Sequence, residues 1–126
     1  MRKLLTPLAL CLCLCAVVAL AGQGGVTNID RGDYSTALRV GRALAAEGNP
    51  LAQFNLGLMY ANGQGVPKDY VEAHKWSNLS AASATDKEIR DTATHNRDFI
   101  ASKMTADQVA EAQKLAREWK PTPPTN

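Results

Sequence analysis

Beyond residue 15 the chain contains no cysteine. All three, Cys11, Cys13 and Cys15, lie inside the apolar run Leu8 to Leu20. A domain built from the remaining residues has no disulfide and no thiolate metal ligand. Charge of one sign is also missing. The 14 basic and 12 acidic residues become 12 of each once Arg2 and Lys3 are set apart, so no basic excess points to nucleic acid. Sustained alternation of apolar and polar residues is absent as well, which argues against strands. Only two histidines occur, His74 and His95, 21 residues apart. Without cysteines they make a poor zinc set, and they read as packing or solvated side chains.

The first 21 residues have the pattern of a signal peptide. Arg2 and Lys3 form a positive start, the run Leu8 to Leu20 follows, and Ala19-Leu20-Ala21 supplies small residues for cleavage. The run is shorter than the roughly 20 residues of a membrane span. Leu10, Leu12 and Leu14 precede the cysteines where lipidation wants a small residue, which argues against a lipid anchor. An exported protein, periplasmic or secreted, is expected. Residues 22–31 form a Gly-rich lead-in, 32–119 a helical domain, and 120–126 a disordered Pro-rich tail.

Within 32–119 the periodicity is helical and the boundaries are marked. Asn49-Pro50 places an N-cap before a proline at the first helical position. Asp69 with Glu72, Thr85 with Glu88, and Thr105 with Gln108 have capping-box spacing. Gly48 and Gly63 stand where helices end. Five helices are expected, at roughly 33–47, 50–62, 69–83, 86–103 and 105–119.

A repeat connects two of them. "DYSTALRVGRALAA" (33–46) aligns with "DYVEAHKWSNLSAA" (69–82) at an offset of 36. Asp33, Tyr34, Ala37 and the pair Ala45-Ala46 recur as Asp69, Tyr70, Ala73 and Ala81-Ala82. A helix pair repeating at that period predicts an all-α fold, a short α–α superhelix with one complete repeat flanked by partial or divergent ones.

No chemistry stands out. "GQGVPKD" (63–69) lacks the Gly-Lys-Ser/Thr of a phosphate loop and the third glycine of a dinucleotide fingerprint. It also follows a helix, and Pro67 removes one backbone N–H. It reads as a turn, with Gly65 reversing the chain and Val66 tucked beneath. No nucleophile elbow is present. Trp76 and Trp119 fall on apolar helix faces and read as packing. No catalytic, cofactor or metal residue is assigned.

The run Ala52 to Ala82, with Ala52, Leu56-Gly57, Met59-Tyr60, Gly63, Gly65-Val66, Asp69, Ala73, Trp76 and Ala81-Ala82, closely resembles the Sel-one-like repeat, a relative of the tetratricopeptide repeat. Residues 32–48 resemble the second half of a preceding unit. The closing segment from Arg97 to Trp119 is similar to the ending of many small exported bacterial members. The resemblance implies a right-handed superhelix and a scaffold or adaptor role that binds a protein or peptide, without a reaction. On helix 50–62 the repeat-matching positions share one side. Leu51, Phe54, Asn55, Leu58, Ala61 and Asn62 share the other and are the candidate partner-facing residues; alternatively Leu51, Phe54 and Leu58 pack against helix 33–47. Two other functions stay open, a cell-wall hydrolase and a subunit that dimerises to complete its solenoid.

Overall fold

The computed structural model describes residues 32–124, with side chains from Ser35 onward. The segments read as signal peptide and lead-in, all three cysteines and the last two residues lie outside the described residues. The backbone divides into two units, 1–34 and 35–126. Everything below concerns the second, together with the first helix, which begins just before it.

Five helices are present and match the expected order: α1 (Gly32–Ala46), α2 (Pro50–Asn62), α3 (Tyr70–Ser83), α4 (Lys87–Ala101) and α5 (Ala106–Glu118). No strand occurs among the described residues. Two consecutive pairs pack closely, α2 on α3 and α3 on α4. Helices two apart also meet, α2 with α4 and α3 with α5. That second-neighbour contact is what stacking of helix pairs produces.

The caps follow the sequence closely, with two corrections. Asn49 Oδ1 accepts from Ala52 N–H, and Pro50 opens α2. Thr105 and Gln108 form a reciprocal capping box at the start of α5. Asp69 accepts from Glu72 N–H at the start of α3, but Glu72 does not reach back. Its carboxylate instead accepts from Trp76 Nε1 at 3.1 Å and pairs with Lys75 at 2.9 Å. Thr85 is not the cap of α4. Asp86 is, accepting from both Glu88 and Ile89 N–H, because a carboxylate at a helix N-terminus is a stronger acceptor than a hydroxyl.

The core is small and rich in alanine. Leu38 and Ala45 of α1 join Ala52 and Leu56 of α2, Val66 of the α2–α3 loop, and Trp76 of α3. Trp119 meets Trp76 edge to face at 6.3 Å. On α5 one apolar stripe is covered: Ala112 is buried, and Val109, Leu115 and Ala116 are half-buried, as is Trp119 at the helix end. Polar bonds tie the layers. Gln53, 1% exposed, donates from Nε2 to Ala45 O and accepts from Ser83 Oγ. Ser80 Oγ donates to Pro50 O at 2.7 Å. Asn96 Nδ2 donates to Ser77 Oγ.

Residues 119–124 form no helix or strand. Thr122 N–H is nevertheless tied to Ala46 O at 2.8 Å, and Trp119 and Pro121 lie against Gly48.

Candidate protein interface

The glycine loop was the one stretch with an outline of anion chemistry, and its hydrogen bonds close that reading. Gly63 takes the left-handed conformation at φ 66°, and its N–H and that of Gln64 both donate to Met59 O. Gly65 follows at φ 71°. Asp69 N–H donates to Tyr60 O. Three of the loop's donors are thus spent on α2, closing the helix end as a C-cap does. Val66 is buried in the core, as expected of a turn.

Among the described residues no three His, Cys, Asp or Glu side chains converge as a metal site would need. His95 is exposed. His74 is 3% exposed, and its Nδ1 has no hydrogen-bond partner. Burial holds its pKa below the usual imidazole value, and the Arg97 guanidinium pushes the same way against an opposing Asp98. A neutral, packed imidazole fits the sequence reading of a structural histidine.

What the surface does offer is an apolar groove. It encloses about 460 Å³ between α1 and α2. Ala37, Val40, Gly41 and Leu44 form one wall; Leu51, Ala52, Asn55, Leu56 and Met59 form most of the other. Val40, Leu44 and Leu51 are 41–50% exposed, and they are three of the four large exposed hydrophobics among the described residues. Among the described residues no charged side chain lines the groove. Exposed apolar side chains gathered into one concavity are the usual mark of a contact site, unlike ones scattered singly.

The six candidate partner-facing residues divide here, with Ala61 half-buried and outside the groove lining. Leu51 and Asn55 are exposed and line the groove. Phe54 and Leu58 are half-buried and do not line it, while Asn62 is exposed at the end of α2. Leu51 faces α1 across open space, so it does not pack tightly there. The groove's α1 wall was missing from the sequence reading, although the 36-residue alignment had already singled out Ala37.

Stacked helix pairs define the class: an α-helical repeat protein. The model described as Sel1 repeat matches residues 50–84, which cover α2, the glycine loop and α3. That segment is a Sel1 repeat, and it agrees with the unit recognised between Ala52 and Ala82. Searches of curated proteins and of solved structures gave no match. Sel1 repeats in general are non-catalytic modules that mediate protein–protein interaction.

Proposed function

We propose that this protein is a non-catalytic interaction module of the bacterial cell envelope, binding a protein or peptide on the exposed side of α2. The observation that carries this is the apolar groove in which Leu51 and Asn55 of the Sel1 repeat face Val40 and Leu44. Leaving such surface in water is unfavourable by roughly 25 cal/mol per Å², and a partner removes that cost. Export is supported by Arg2, Lys3, the run Leu8 to Leu20 and the small residues before Gly22. No helix among the described residues is long and apolar enough to cross a membrane.

The experiment is site-specific photo-crosslinking in the native envelope, with the crosslinker at Asn55 and, as a control, at the exposed Ala110 of α5. A discrete adduct at position 55 that is absent at 110 is expected. Replacing Asn55 and Asn62 together by arginine abolishes that partner's capture while the circular dichroism melt stays unchanged. Equal adducts at both positions, or capture that survives the double substitution, would overturn the proposal. N-terminal sequencing of the exported chain checks the cleavage after Ala21.

A further inference from the structure

The 36-residue offset equates α1 with α3, so each residue of the groove's α1 wall has a counterpart. Ala37, Val40, Gly41 and Leu44 correspond to Ala73, Trp76, Ser77 and Ser80. In α3 that face is covered, and α2 covers it. A Cβ added at Gly57 would lie 2.7 Å from Ser77 Oγ and 3.2 Å from Ala73 O, so the two helices cross there with no room for a side chain. Ser80 Oγ bonds Pro50 O of the same helix. All four counterparts are buried.

In α1 none of the described residues covers the same face. A Cβ built at Gly41 meets nothing within 4 Å. Glycine in a helix interior is unfavourable by about 1 kcal/mol relative to alanine. At position 57 the close crossing explains it. At position 41 no contact within the described residues does.

We infer that the α1–α2 groove is the seat of a helix supplied by another protein, lying on α1 as α2 lies on α3. This rests on the interaction-module reading and names the partner's chemistry. The partner is an α-helix with glycine or another small residue where it crosses Gly41. Its facing side is uncharged, because the groove offers no counter-charge to a buried ion. The repeat shows on itself what fits: α2, PLAQFNLGLMYAN, carries no charged residue at all.

The probe is a peptide of residues 49–63. It is stapled between positions 58 and 62, away from the crossing face, because so short a helix is marginal in water. Binding to the full chain is read by fluorescence anisotropy. The expected result is saturable binding, weakened about tenfold or more by Gly57→Leu in the peptide and likewise by Gly41→Leu in the protein. The protein variant does not lower the melting temperature, since its side chain enters open space and leucine is a better helix former than glycine. The peptide variant needs no folded protein to be altered. Absence of binding to the parent chain, or binding indifferent to both substitutions, overturns the inference. A concentration-dependent dimer that Gly41→Leu dissolves, seen in sedimentation, would assign the groove to a second copy and also overturn it. If the partner crosslinked at Asn55 is captured equally by the Gly41→Leu protein, the module reading stands and this seat fails.

Discussion

Helices α1 and α3 are two versions of one element, read in the same register, and their surroundings differ. The α3 face of Ala73, Trp76, Ser77 and Ser80 is buried beneath α2. The matching α1 face of Ala37, Val40, Gly41 and Leu44 borders an open groove. Their residues track that difference. Where a neighbour presses close, α3 carries small side chains and a serine hydroxyl that bonds across to Pro50 O. Where none of the described residues is seated, α1 carries Val40 and Leu44, 49% and 41% exposed. A face built only for solvent would not place them there, and a face built only for the internal core would not leave them out. The other edge of the repeat differs again, since α5 covers α3 with its apolar stripe and turns its polar side outward.

Substitutions sharpen this contrast, and the largest effect should come from the covered side. Leu56→Ala removes a side chain 1% exposed and should lower stability by about 2–5 kcal/mol in a urea titration. Leu44→Ala, on the open face, should cost less than about 0.5 kcal/mol. Comparable losses at both sites would mean that the α1 face is covered after all.

The two glycines give the next largest difference. Gly57→Leu drives a side chain into Ser77 and Ala73 and should cost about 1–3 kcal/mol through overpacking. Gly41→Ala should instead stabilise, by up to about 1 kcal/mol, through helix propensity alone. Thermal melts read both signs directly. A destabilising Gly41→Ala would reveal a close neighbour at position 41.

A smaller effect belongs to the α3–α4 side, through His74. Its pKa is lowered in the folded state, so the fold favours the neutral imidazole. The unfolded chain binds the extra proton first. Stability is therefore full above the ordinary imidazole pKa of about 6.5 and falls as pH drops through it toward the lowered folded value. Replacing His74 by glutamine should flatten that part of the stability–pH curve, measured by chemical denaturation between about pH 7 and 5. An unchanged slope would place the pH dependence elsewhere.

Much of the fold was legible because helix ends are written in local chemistry. Asn49-Pro50, Asp69, Thr105 and Gly63 each perform the capping that their residue types allow. The core positions Ala52, Leu56, Ala73, Trp76 and Ala81 were legible because small or large apolar residues recur at fixed spacing. Gln53, His74, Ser77 and Ser80 are buried too, and polar residue types alone do not announce burial; the hydrogen-bond partners of Gln53, Ser77 and Ser80 lie on other helices. Half of the candidate interface was also beyond local reading. Leu51 and Asn55 lie on the face that the sequence picked out, but Val40, Gly41 and Leu44 come to them only through the packing of α1. Gly41 and Gly57 look alike as letters, and only their neighbours separate them.

One face of the repeat is covered, and its counterpart on α1 is open. Ala37→Cys and Ala73→Cys, compared by rate of thiol labelling at those positions in the folded chain, test this contrast directly. The positions are equivalent in the repeat, and the described residues add no native thiol of their own. Cysteine 37 should label at a rate close to that of the unfolded chain, and cysteine 73 should react only through unfolding, more slowly by orders of magnitude. Equal protection at both positions would contradict the account.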